Sequence, residues 1–117
     1  MSSSEFDFEI LKEVTGNDPT FEREILEEYL QASERLLERQ QVHLENGDAR
    51  ELLRAAHSLR GSSLTMGATR LGELATEIES SAEDHQLTRA ASLLEHAVSE
   101  FAALRPVLET HSTRLAA

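Results

Sequence analysis

The sequence predicts an all-α protein, an antiparallel up-down-up-down four-helix bundle with a short additional N-terminal helix. Apolar residues recur at spacings of three and four along most of the 117 residues, as they do on the buried face of a helix. β-branched residues are too few for a sheet protein. Amphipathic helices joined by short turns bury their apolar faces against one another. We therefore expect residues 1–117 to form a single domain.

The first two predicted helices span residues 4–15 and 19–46. Ser4 is in position to cap the first helix, which ends at a Gly-Asn pair. Asp18 is expected to cap the second, because the proline that follows it, Pro19, is favoured at the first helical position. The residues expected to face the core from this helix are Phe21, Ile25, Tyr29, Ala32, Leu36 and Leu44.

A third helix is predicted over residues 48–66, after the turn Asn46-Gly47-Asp48. Gly47 suits the left-handed position that follows a helix. Asp48 is expected to begin the next helix, and Glu51 stands three residues later, which is the spacing of a capping box. The residues expected to face inward are Leu52, Ala56, Leu59 and Ser63.

The last two predicted helices span residues 68–82 and 84–110, with Asp84 as the cap of the later one. Pro106 is expected to bend the final helix, since it has no backbone N–H to donate. The core residues expected from the fourth helix are Leu71, Leu74, Ala75 and Ile78. Those expected from the fifth are Leu87, Ala91, Leu94, Val98, Phe101 and Leu108.

The composition argues against several classes of function. A formal net charge of −11 opposes binding to nucleic acid. The absence of Cys excludes disulfides and thiolate metal sites, and a cytoplasmic location fits. We see no signal peptide and no run of the roughly 18 apolar residues that span a bilayer, so no membrane association is expected.

Positive charge is concentrated in one window of this acidic chain, residues 50–72. The window holds four arginines and a single acid, namely Arg50, Arg54, Arg60 and Arg70 with Glu51. Such a window indicates an anion or an acidic partner at this part of the surface.

The segment around His57 departs from the rules of a helix interior. Gly61 costs roughly 1 kcal/mol relative to Ala in mid-helix, so something other than stability accounts for it. His57 lies one position from the inward stripe, at the border between core and solvent. Gly61, one turn later, leaves space beside the imidazole for a bulky partner. Arg60 lies on the same flank, where its guanidinium could hold an oxygen of a phosphoryl group.

This segment resembles the signature of histidine-containing phosphotransfer (HPt) domains. In that family a His on the third helix is followed by a basic residue at +3, Gly at +4, small residues, and a second Gly at +10. The matching residues here are His57, Arg60, Gly61, Ser62, Ser63 and Gly67. The turns and helix lengths are similar to the family over nearly the whole chain. One departure is Arg60, where the family usually carries Lys, so the geometry of the phosphate contact differs.

The resemblance also assigns a role to Glu79. In the family, a polar residue 22 positions after the His hydrogen-bonds the ring nitrogen that is not phosphorylated, and Glu79 stands at that position. Small residues precede it in the same helical column, at Ala68, Gly72 and Ala75, and would let the third helix approach closely. A carboxylate accepting the Nδ1–H bond would fix the tautomer and leave Nε2 as the nucleophile. We therefore predict phosphorylation of His57 at Nε2.

The function implied by the resemblance is that of a phosphocarrier in two-component signalling, not an enzyme. The chain has no glycine-rich phosphate loop and no nucleotide-binding signature, and no cofactor of its own is expected. By resemblance, the partners are response-regulator receiver domains, whose acidic pocket supplies Mg²⁺, with a hybrid histidine kinase as a further candidate. Leu64, Ile10 and Leu11 are expected to form the docking patch.

Alternative interpretations remain open from the sequence. The bundle could be a scaffold or regulator that binds receiver domains without accepting phosphate. A carboxylate-bridged metal bundle is disfavoured, because no suitable pair of Glu-x-x-His motifs is present. Arg54 fits a docking role and an ion pair with Glu51 equally well. We assign no function to the other four histidines, His43, His85, His96 and His111. The initial Met and polar ends favour a free-standing, monomeric protein over a domain of a larger kinase.

Overall fold

The computed structural model describes residues 5–116, which form an all-helical bundle. The helices are α1 (Phe8–Thr15), α2 (Pro19–Glu45), α3 (Ala49–Met66), α4 (Thr69–Glu83) and α5 (Leu87–Ala116). α2 and α4 each pack against α3 and α5, and α1 packs against α2 and α3. Turns of two or three residues connect α2 to α5, so consecutive helices run antiparallel. The predicted fold class is confirmed.

The turns that position α3 follow the predicted chemistry. Gly47 has a left-handed φ of 66°, and the Asp48 side chain accepts a hydrogen bond from the backbone N–H of Glu51 at 3.1 Å. Only half of the capping box forms, because the Glu51 carboxylate lies 3.7 Å from Arg54 and the backbone N–H of Asp48 donates to the His43 carbonyl. The start of α3 is therefore fixed by one side chain.

Two predicted helix starts are wrong. Ser4, the expected cap of the first helix, lies outside the described residues, and α1 begins only at Phe8. Asp7 caps it by accepting from the Glu9 N–H at 3.0 Å. Asp84, the expected cap of the fifth helix, instead ends α4, where its N–H donates to the Ser80 carbonyl at 3.1 Å. His85 then takes a left-handed φ of 57°, so α5 begins at Leu87.

α5 continues to Ala116, beyond the predicted end at residue 110, and Pro106 stands inside it. Pro106 has no N–H to donate, so the carbonyl of Ala102, one turn earlier, has no partner within the helix. Both residues are exposed, and water can donate to that carbonyl instead. The last turns are held by a long-range contact that no local pattern shows. His111 Nε2 lies 2.5 Å from the buried carboxylate of Glu22 in α2.

The predicted core faces hold for α3 and α4, where every expected residue is buried. In the predicted face of α2, Tyr29 is buried and Ile25, Leu36 and Leu44 pack partly buried against the core, but Phe21 is 42% exposed. Leu26, Leu30 and Leu37, which the prediction omits, are also buried. The true face also includes buried polar residues, namely Glu22, Ser33 and Gln40, which interrupt the apolar pattern. In α5, Val98 and Ala91 are exposed because Ala90, Ala97 and Leu104 face the core instead.

A buried hydrogen bond joins α2 to α3 beneath the segment around His57. The Tyr29 hydroxyl lies 2.7 Å from Ser63 Oγ, and both side chains are buried. Burial raises the pKa of the Tyr29 hydroxyl from 10.0 to about 12, and the hydrogen bond with Ser63 offsets part of that shift. Ser63 therefore faces inward, as predicted, because it satisfies a polar group of α2.

The residues before α1 are bound to two distant parts of the bundle. The Asp7 N–H donates to the Gly67 carbonyl at 2.7 Å, and the Glu5 N–H donates to the Glu100 carboxylate at 3.1 Å. Gly67 has a φ of 102°, and a Cβ atom there would overlap the Asp7 carbonyl. Burial raises the pKa of Glu100, while the Glu5 N–H and Arg70 act in the opposite direction.

Candidate functional site

His57 projects from the outer shoulder of α3. Its side chain is 58% exposed, whereas the preceding residue, Ala56, and Leu59 are fully buried. The helix therefore anchors the His57 backbone in the core while the imidazole reaches solvent, as the spacing of the inward stripe predicts.

Glu79 on α4 contacts the imidazole of His57. Its Oε2 atom lies 2.8 Å from His57 Nδ1, and the Glu79 side chain is only 16% exposed. Because a carboxylate accepts hydrogen bonds and does not donate them, Nδ1 is the nitrogen that carries the proton when the ring is neutral. The lone pair then lies on Nε2. The contact expected between these two residues is present.

Arg60 contacts the same carboxylate. Its Nη1 atom lies 2.8 Å from Glu79 Oε1, and its side chain is 37% exposed. The sequence predicted that Arg60 would share a flank with His57, but not that Glu79 would hold its guanidinium. Glu79 therefore bridges His57 and Arg60, one oxygen to each.

Gly61 faces open space. No heavy atom lies within 4 Å of the place where its Cβ would be. It borders an open groove of about 320 Å³ between α2 and α3. The other residues that line the groove are Ile25, Glu28, Tyr29, Ala32, Ser62, Thr65 and Met66. The position one turn after His57 is therefore open, as the sequence predicted.

The predicted docking patch needs one correction. Leu64 is 46% exposed and Ile10 is partly exposed, but Leu11 is completely buried. Leu11 packs into the core because α1 turns this residue toward the bundle. Phe21, near the start of α2, is a large exposed apolar residue that the sequence placed in the core.

The basic window of residues 50–72 is largely matched by acids. Arg54 lies 3.7 Å from Glu51, and Arg70 lies 3.5 Å from Glu73. The structure therefore contains the ion pair between Arg54 and Glu51 that was one of the two interpretations of Arg54. Within residues 5–116, no group of three or more His, Cys, Asp or Glu side chains is placed to hold a metal ion.

None of the helices described in residues 5–116 is long and apolar enough to cross a membrane.

Comparison with known families identifies the class of protein. The family model described as "Hpt domain" matches residues 24–112. The structure of histidine-containing phosphotransfer protein B (HptB) from Pseudomonas aeruginosa PAO1 is similar, with a TM-score of 0.90 and 31% sequence identity over 97% of this chain and 98% of that one. The chain therefore belongs to the Hpt domain family, whose members are phosphocarriers in two-component phosphorelays with receiver and kinase domains.

Two further structures share the fold. A rice protein described as a histidine-containing phosphotransfer protein has a TM-score of 0.81 at 21% identity, covering 96% of this chain and 84% of that one. The HPT domain of a sensor hybrid histidine kinase from Shewanella has a TM-score of 0.69 at 22% identity, covering 90% and 94%. No curated protein sequence matches significantly. A phosphorelay role in two-component signalling follows from the family match and from the similarity to HptB.

Proposed function

We propose that this chain relays a phosphoryl group through Nε2 of His57 between receiver domains, or from a kinase to a receiver. The observation that carries the proposal is the 2.8 Å contact between Glu79 Oε2 and His57 Nδ1, made on an otherwise exposed ring. This contact orients the imidazole and directs its lone pair outward from Nε2. The 117 residues would act as one domain.

The proposed transfer is a direct displacement at phosphorus. The Nε2 lone pair of His57 forms the new P–N bond as the P–O bond of an aspartyl phosphate breaks. The electron pair of the P–O bond remains on the aspartate oxygen. The receiver would supply Mg²⁺ and the acidic residues that hold it, because the sequence has no glycine-rich phosphate loop and residues 5–116 present no group of three or more side chains placed to hold a metal ion. Arg60 would neutralise part of the phosphoryl charge.

Docking of the receiver would use the face beside Gly61. The open space at Gly61 and the adjoining groove between α2 and α3 give a partner access to the imidazole. Exposed apolar side chains, Leu64 and Phe21, are available for contact with the partner. A receiver that covers this face would exclude water from the transferring phosphoryl group.

The direct test is incubation with a phosphorylated receiver domain and Mg²⁺. We expect an acid-labile, alkali-stable label that disappears in His57→Gln. His96→Gln is the matched control, because His96 is also an exposed helical histidine and should leave the label unchanged. A label that persists in His57→Gln would refute the site. If the protein without substitutions binds the receiver but acquires no label, the scaffold alternative would be favoured.

A further inference from the structure

Glu79 holds a cation and the imidazole at the same time. Its two oxygens each lie 2.8 Å from a nitrogen, Arg60 Nη1 on one side and His57 Nδ1 on the other. The carboxylate is largely shielded from solvent, where an unpaired charge is unfavourable. The ring must be neutral to act as a nucleophile, and in that form Arg60 is the cation that balances the Glu79 charge.

Phosphorylation adds charges on both sides of this pair. When the Nε2 lone pair bonds to phosphorus while Nδ1 keeps its proton, the ring becomes an imidazolium cation. The phosphoryl group attached to Nε2 brings negative charge on its oxygens. The new cation therefore lies against Glu79, and Arg60, three residues after His57 on the same helix, is a nearby cation for the new anion.

We propose that Arg60 exchanges partners during the reaction, leaving Glu79 for the phosphoryl oxygens while Glu79 pairs with the imidazolium. This inference rests on the proposed function of His57. The exchange leaves Glu79 and Arg60 each with a partner of opposite charge before and after transfer. The contact with Glu79 uses Nη1, and a guanidinium has further N–H groups that can bind a phosphoryl oxygen before Nη1 leaves.

The exchange makes Glu79 a positioning residue for both directions of transfer. Its charge stabilises the imidazolium that develops as phosphate arrives. It also keeps the Nδ1 proton on the phosphorylated ring, which lets the ring depart as a neutral imidazole when the P–N bond breaks. A neutral amide at position 79 should therefore slow the gain and the loss of phosphate together.

The test uses phosphoramidate, a small donor that needs no partner protein. The Nε2 lone pair forms the P–N bond to His57 as the donor's own P–N bond breaks and ammonia leaves with its electron pair. We would follow phosphohistidine formation and decay by ³¹P NMR, and the Arg60 side-chain N–H signal by ¹⁵N NMR. The variants are Glu79→Gln and Arg60→Gln. The control is Glu77→Gln, on the same helix as Glu79, which disrupts an exposed pair with Arg89 of α5.

We expect Glu79→Gln to slow formation and decay by roughly tenfold each, and Arg60→Gln to slow formation, with Glu77→Gln unchanged. In the protein without substitutions, the ¹⁵N signal of Arg60 should shift on phosphorylation. In Glu79→Gln, this signal should already be shifted before phosphorylation. An Arg60 signal that phosphorylation leaves in place, or a Glu79→Gln effect equal to that of Glu77→Gln, would overturn the exchange. If transfer from a receiver still requires His57, those results would leave the proposed function intact.

Discussion

Leu64 on α3 lies over Gly72 on α4 so closely that a Cβ atom at Gly72 would be 2.5 Å from Cδ2 of Leu64. His57 stands seven residues before Leu64, and Glu79 stands seven residues after Gly72. Seven residues make about two helical turns, and the two helices run antiparallel. The close contact and the His57–Glu79 hydrogen bond therefore lie along one interface, and the small residue at Gly72 sets the helix separation that Glu79 requires.

Gly72→Ala should therefore destabilise the protein and weaken the His57–Glu79 contact. The methyl group would have to displace the Leu64 side chain, at a cost of about 1–3 kcal/mol, which is partly offset by the roughly 1 kcal/mol that a helix gains when Ala replaces Gly. Urea unfolding measures the loss of stability, and the phosphoramidate reaction measures the effect on His57. The double variant with Leu64→Ala should recover much of the packing cost, because the obstructing side chain is absent. An equal Gly72→Ala penalty in both backgrounds would contradict this explanation.

Substitutions at Gly61 should separate docking from chemistry. Nothing lies within 4 Å of a Cβ at this position, so Gly61→Ala should stabilise the helix by about 1 kcal/mol. Gly61→Gln should also fold, but its side chain would occupy the space beside His57 and slow transfer from a receiver at least roughly tenfold. Labelling by phosphoramidate should continue in both variants, since this donor is small. Normal receiver transfer in Gly61→Gln would refute the steric role.

The Tyr29 hydroxyl should lose its proton at a higher pH than an ordinary tyrosine does. It is the only tyrosine and the chain has no tryptophan, so absorbance near 295 nm reports this hydroxyl alone. We expect a midpoint near pH 12 in the folded protein, against about 10 in the unfolded chain. A folded midpoint near the unfolded one would show that the hydroxyl is not buried.

The same pKa difference predicts how stability depends on pH. Below pH 10 the hydroxyl is protonated in both states, so its contribution is fully present. Between about 10 and 12 only the unfolded chain loses the proton, and the free energy of unfolding should fall by roughly 2–3 kcal/mol. Tyr29→Phe should remove this decline, while costing about 1 kcal/mol at neutral pH because Ser63 loses its partner. An unchanged decline in Tyr29→Phe would assign it to other groups.

Glu100→Gln should stabilise the protein at pH 7. Because the folded pKa of Glu100 is raised, mainly by burial, its contribution to stability is present at low pH and lost as pH rises through that folded pKa. The amide removes the buried charge and retains an acceptor for the Glu5 N–H. The gain should fade as the pH is lowered to about 4. Glu95→Gln, at an exposed position of α5, should show no gain, and a less stable Glu100→Gln would mean that attraction to Arg70 outweighs burial.

Part of the site could be predicted from local spacing. The positions of His57, Arg60 and Gly61 on one helix follow from the helical repeat, and the family pattern gave the partner 22 residues later, Glu79. The ion pair between Arg60 and Glu79 could not be predicted in this way, because a guanidinium on a flexible side chain can reach several neighbours. Only the packing of α4 against α3 selects the carboxylate.

The sequence by itself determined the helical fold and the register of α3, since apolar spacing and turn residues such as Gly47 and Asp48 act within a few residues. The tertiary structure decided the rest. It brought polar side chains of α2 into the core, extended α5 through the contact of His111 with Glu22, and moved the start of α1 to Phe8, with Asp7 as the cap. These features depend on contacts between residues far apart in the chain, and the free energy of such contacts exceeds that of local propensity.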